Sequence, residues 1–119
     1  MKVIKQTPMT PARLVSTNVV EDEDAWNVAT TYAKHALVYE GILGVYESLV
    51  NSNTGNQPSA SPTAWVRVGP VNRYAMFDQS VSTQTVSAAP ITVVINTGSI
   101  NSIAFINVLC SSINVTVRD

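Results

Sequence analysis

Trp65-Val-Arg-Val-Gly-Pro-Val-Asn-Arg-Tyr-Ala-Met-Phe-Asp78 divides this chain into two halves of different character. Outside that stretch, every aromatic except Phe105 and every acid except Asp119 lies before it. After it the chain is rich in Val, Ile and Thr, and from Gln79 to Val117 it contains no Asp, Glu, Lys or Arg. The stretch reads as the joint between a small aromatic module and a β-sheet built for contact with other chains.

On the N-terminal side, Trp65-Val-Arg-Val reads as a strand stopped by Gly69-Pro70. Two more short strands are expected in Ala36–Gly41 and Ile42–Leu49, with Gly41 and Gly44 supplying the turn. Between these and Trp65 runs Asn51-Ser-Asn-Thr-Gly-Asn-Gln-Pro-Ser-Ala-Ser-Pro62, a polar loop with nothing to bury. Glu21-Asp-Glu-Asp24 could be read as a calcium site, but the alternating ligands, glycine and distant Glu of such a site are missing. A solvated turn before Trp26 is the simpler reading. Residues 1–20 carry Pro8 and Pro11, which block helix and favour an extended arm or edge strand lying against something else.

On the C-terminal side, strands are expected at Arg73–Phe77, Pro90–Asn96 with a Thr97-Gly98 turn, Ser102–Cys110 and Ile113–Val117. No stretch keeps a 3.6-residue period over three turns without an interrupting Pro, Gly or Asn. The fold class is therefore all-β: a small three-stranded aromatic module plus a partial antiparallel β-sandwich or jelly-roll-like sheet. Its organisation is an extended N-terminal arm over 1–25, the module over 26–69 and a β-sheet assembly segment over 70–119. Soluble monomers protect sheet edges with Lys, Pro, bulges or inward charges, and here only Pro90 is available. Assembly with other chains is one reading of that tail. A sandwich whose outer faces are solvated by Ser, Thr and Asn alone is the other. Size favours assembly, because ordering the backbone costs about 1–2 kcal/mol per residue and two small cores leave little surplus.

Composition narrows the function. Hydrophobic residues make up 45% of the 119, enough for a core, but charged residues make up only 13% and the net charge is −1. Without a basic cluster there is nothing to neutralise phosphates, which argues against nucleic-acid binding. No apolar run approaches the length of a membrane span, and no apolar region follows the basic residues at the N-terminus as in a secretory signal. The single Cys110 cannot form an internal disulfide and fits folding in a reducing cytoplasm as a small buried hydrophobe. Catalysis is not expected. The only histidine, His35, reads as a turn residue, and no phosphate loop, metal-ligand spacing or nucleophile motif is present. Carboxylate pairs drawn from Asp24, Glu40, Glu47 and Asp78 lack a pocket signature. No cofactor and no metal are expected.

The aromatics are better candidates for binding. A sugar ring offers an apolar C–H face to an aromatic plane while its hydroxyls pair with Asn, Gln or Glu. Trp26, Tyr32, Tyr39, Tyr46 and Trp65 form the pool for such a platform. The competing use is the core: burying one aromatic is worth roughly 4–6 kcal/mol at about 25 cal/mol per Å². A module this small can spare few of them, so at least three of the five are expected to be structural.

Trp26, Thr31-Tyr32, Val38-Tyr39-Glu40-Gly41, Tyr46-Glu47-Ser48, the Asn53–Pro58 loop and Trp65-Val-Arg-Val-Gly69 follow one another in the order of a known pattern. In that order the chain resembles the small chitin-binding-type carbohydrate module found on chitinases and phage proteins, with Lys34-His35 where that module has Gly-Asp. Thr10-Pro-Ala-x-Leu14 and Ser16-x-Asn-Val19 precede it, and Gly69-Pro-Val-Asn-Arg-Tyr-Ala-Met-Phe-Asp78 and Ser82-Thr-Gln-Thr85 follow. This frame is similar to tailed-bacteriophage virion proteins in which the module is joined to a β-sandwich. The resemblance implies a tail, baseplate or fibre location in the virion after synthesis in the host cytoplasm. It further implies partners that are copies of the chain and other virion proteins, and contact with host polysaccharide, with a dedicated carbohydrate-binding module as the alternative. It marks Asn72, Arg73 and Asp78 as joint residues, where an Arg–carboxylate pair would clamp the halves. Such relatives carry more sandwich strands, so neighbouring subunits are expected to complete the fold.

Overall fold

The strand Trp65–Gly69 (β6) runs antiparallel to Val45–Ser48 (β4), which pairs antiparallel with Leu37–Tyr39 (β3), giving a three-stranded sheet in the order β3-β4-β6. The computed structural model describes residues 5–42 and 44–117. Residues 1–4 of the arm expected over 1–25, and Leu43 of the second expected strand, lie outside the described residues. Earlier in the chain come Leu14–Thr17 (β1) and Thr31–Tyr32 (β2), and after β4 comes Asn53–Thr54 (β5), which pairs antiparallel with β2. The chain is all-β, a small aromatic module plus a partial antiparallel sheet.

Alternation along β3, β4 and β6 decides which face is buried. Val38 lies opposite Tyr46, Tyr46 opposite Arg67, and Ser48 opposite Trp65. Val38, Trp65 and Ala64 form the core, with Trp26, Tyr32 and Tyr46 packed against it. The β3–β4 turn needs a left-handed residue, which Gly41 supplies at φ 64°. Open space surrounds the position where its Cβ would stand. Gly41→Ala should therefore cost about 1 kcal/mol through backbone strain alone, read as a lower urea midpoint at unchanged slope.

A row of paired residues crosses the module: Ala25 bridges Tyr39, Tyr39 lies opposite Val45, and Val45 opposite Gly69. The chain thus enters and leaves the module on the same row, about 14 Å apart at the usual strand spacing. Outside it, β1 pairs antiparallel with Val93–Ile95 (β7) in a two-stranded sheet. Asn18 extends that pairing, donating to the Pro90 carbonyl at 2.8 Å and accepting from the Thr92 amide at 2.8 Å. The expected N-terminal arm is thus half of the sheet that the C-terminal segment begins.

Several expectations are corrected. The strand expected at Arg73–Phe77 is a single helical turn, Asn72–Ala75 (α1), because winding the chain there buries Val71, Tyr74 and Ala75 together. The strand expected over Pro90–Asn96 is shorter, β7 alone, followed by a turn at Gly98 with φ 66°. Ser102–Cys110 and Ile113–Val117 form no strand, and every residue from Gly98 to Val117 is exposed. Cys110 is exposed too, because nothing covers the segment that carries it. The radius of gyration is 16.8 Å, against about 13.5 Å for a close-packed chain of this length.

Candidate functional site

The polar loop expected to bury nothing is the roof of Trp65. Asn53 is fully buried and donates to Ser48 Oγ at 2.9 Å and to the Ala64 carbonyl at 3.2 Å, while its Oδ1 accepts from Asn56 Nδ2 at 2.7 Å. Trp65 donates its indole N–H to the Asn56 carbonyl at 2.8 Å. Glu40 holds the far end of the loop, accepting from the Ser59 amide and hydroxyl and from Gln57. An Asn-rich loop can be buried when its amides satisfy one another, as these do.

The five aromatics do not form one platform. Trp65 is only 2% exposed, and Tyr32 meets it edge-on with ring centroids 5.3 Å apart and planes at 71°. The Tyr32 hydroxyl accepts from the Asn27 amide at 2.7 Å, which fixes the ring. Trp26 packs against the same core, and its indole Nε1 is buried without a hydrogen-bond partner. Those three rings serve the interior. Tyr39 lies on the opposite side of β3 from buried Val38 and lines an open cleft with Glu21, Val45, Val68 and Asn72. Tyr46 lines a separate shallow depression with Glu40, Gly41, Ile42, Gly44 and Arg67. Gly44 is what lets the Tyr46 ring lie against the turn, since a Cβ there would stand 2.9 Å from its Cε2. Tyr46 thus offers an aromatic surface beside a carboxylate and a guanidinium.

Of the expected joint residues, the structure brings Asn72 and Arg73 together and leaves Asp78 apart. Asn72 Nδ2 donates to the Val20 carbonyl at 3.0 Å, to Asp22 Oδ1 at 3.1 Å and to the Val86 carbonyl at 2.8 Å. Its Oδ1 accepts from the Val86 amide at 2.9 Å, and its own carbonyl accepts from Thr85 Oγ1 at 2.6 Å. Three separate segments therefore meet at one amide. Arg73 pairs through Nε with Glu21, whose side chain is only 8% exposed. The carboxylate partner is Glu21, not Asp78. Asp78 instead closes its own turn, accepting from the Gln79 amide at 2.7 Å and from Thr83 Oγ1 at 3.2 Å.

Compared with protein-family models, curated proteins and solved structures, the chain matches none.

The acidic run is therefore not only a solvated turn, since Glu21 and Asp22 are the acceptors of the joint. Sequence reasoning missed Glu21, Asp22, Thr85 and Asn53; the one available signal was an acid run with too few cations near it in sequence to neutralise it. His35 holds a left-handed turn conformation at φ 69° and pairs through Nδ1 with Glu47 at 2.5 Å on the surface. Among the described residues no group of His, Cys, Asp or Glu could hold a metal ion, and no helix is long and apolar enough to cross a membrane.

Proposed function

We propose that this protein is a structural component of a bacteriophage tail, at the tail tip, the baseplate or the fibre attachment. In this reading it is made in the host cytoplasm and built into the virion with copies of itself and other virion proteins. One observation carries the assembly half of the proposal: the segment from Gly98 to Val117 is exposed throughout, bears no charge and includes Leu109 at 100% exposure. A monomer has no use for such a surface, whereas an assembly covers it. The particle location rests on the resemblance carried by Gly69–Asp78 and its flanks. Mass spectrometry of purified particles, with labelling of the intact tail, tests it: recovery in stoichiometric amount with the tail proteins is the expected result. Complete loss on particle purification would remove the proposal.

A second reading, a dedicated carbohydrate-binding module, is favoured by the Tyr46 depression alone, where a sugar face could stack beside Glu40 and Arg67. Affinity electrophoresis through host polysaccharides separates the two. Retention abolished by Tyr46→Ala supports glycan contact, and free migration through every polysaccharide leaves the structural role.

A further inference from the structure

The tail and the sheet beside it are each incomplete in a complementary way. Among the described residues β1 and β7 form a two-stranded sheet, so each strand has one paired edge and one unpaired edge. A sheet of two strands is marginal alone; a third strand is the usual minimum for independent stability. Among the described residues, none from 103 to 117 forms a hydrogen bond, so a run of strand-forming backbone has its N–H and C=O groups unpaired within the chain. Ile113, Val115 and Val117 alternate with Asn114 and Thr116, the period of a strand with one apolar face, and all three apolar residues are at least 46% exposed. Asn107, at φ 55°, bends the segment between Ile106 and Val108, so Ile113–Val117 is its longest uninterrupted alternating stretch.

Area says how large the missing partner surface is. The chain exposes 8800 Å². A folded monomer of 12.8 kDa exposes about 6,300 Å². The excess, roughly 2,500 Å², is about three times what one partner contributes to a standard interface and lies in the obligate range. Chemistry says what the partner is. Leu14–Thr17, Val93–Ile95 and Ile113–Val117 carry no charge, so neither edge nor strand selects a charged partner. Every copy of the chain brings both the open edge and the unpaired strand.

We infer that Ile113–Val117 of one copy adds as a strand to the open edge of the β1–β7 sheet of a second copy, with residues 102–112 lying across that sheet. The inference rests on the assembly reading above and gives it a mechanism: the chain completes its small sheet by exchanging strands. Because each copy both gives and receives, the exchange builds a closed symmetric oligomer where the rotation between copies closes and a filament where it does not.

Sedimentation equilibrium of the full chain, wild type and Val115→Pro, tests this. Proline at 115 removes a ladder donor while disturbing no hydrogen bond of the single chain. The wild type should sediment as a multiple of the chain mass, and Val115→Pro should weaken association at least about 100-fold, with Trp65 fluorescence unchanged. Val81→Asp, at a valine 89% exposed but outside the segment, should leave association as it was. Intermolecular NOEs between residues 113–117 and β1 or β7 in a mixed-isotope sample complete the expected result. An oligomer that Val115→Pro leaves intact overturns the strand exchange while the particle proposal stands. A wild type that remains a single chain at millimolar concentration overturns the exchange and the self-assembly part of that proposal, and particle mass spectrometry then decides the rest.

Discussion

Trp65→Ala is expected to cost about 3–5 kcal/mol, enough to unfold a module of this size. The indole is the largest side chain of the core, and its removal opens a cavity between Tyr32 and Val38 that a short sheet has few side chains to refill. It also leaves the Asn56 carbonyl without its donor, loosening the roof formed by residues 53–57. Urea unfolding followed by the near-ultraviolet signal of Tyr32 measures the loss. Trp65→Phe keeps most of the volume and drops only the indole hydrogen bond, so it should cost about 1–2 kcal/mol. A Trp65→Ala variant as stable as wild type would mean that the ring is a surface group, and the assignment of Trp65 to the interior would be wrong.

Asn72→Ala carries the second large effect, about 2–4 kcal/mol. One side chain satisfies the Val86 amide and carbonyl and the Val20 carbonyl, and its loss leaves these partly buried groups unpaired. Asn72→Asp is nearly isosteric yet should be worse. A carboxylate oxygen would replace the NH2 group and face the Val20 carbonyl, the Val86 carbonyl and Asp22 Oδ1, three acceptors with no proton between them. The order wild type, Ala, Asp in urea midpoint distinguishes an amide used as donor and acceptor at once from one that merely fills space. If Asp is tolerated better than Ala, the joint is not held by this amide.

Much of the module was legible in its sequence. The β-branched and aromatic runs around Val38, Tyr46 and Trp65, punctuated by Gly41, fold where pattern and turn chemistry place them. β7 follows from Val93-Val-Ile95 for the same reason. The helical turn at Asn72–Ala75 was missed because Val71, Tyr74 and Ala75 give the i, i+3, i+4 spacing only once, too little for periodicity to register. Asn53 was missed because a polar residue is assigned to solvent unless its partners are known, and those partners lie elsewhere, Ser48 on β4 and Ala64 in the turn before β6. The resemblance marked Asn72, Arg73 and Asp78 as joint residues with an Arg–carboxylate pair, but Asp78 accepts a local hydrogen bond from Thr83 and Arg73 reaches back to Glu21. Cys110 was placed inside by its apolar neighbours, a rule that holds only when the strand has a cover.

The row Ala25–Tyr39–Val45–Gly69 also bears on the order in which the chain matures. Since the aromatic module begins and ends on one row of its sheet, it is an insertion that can fold by local contacts as soon as residue 69 is available. β1 must wait, because its partner β7 follows the whole insertion. Nascent chains therefore pass through a stage in which the module is finished while Leu14–Thr17 is still searching. A shortened linker in place of residues 26–68 would bring the two strands together sooner and speed that pairing by cutting the loop to be closed.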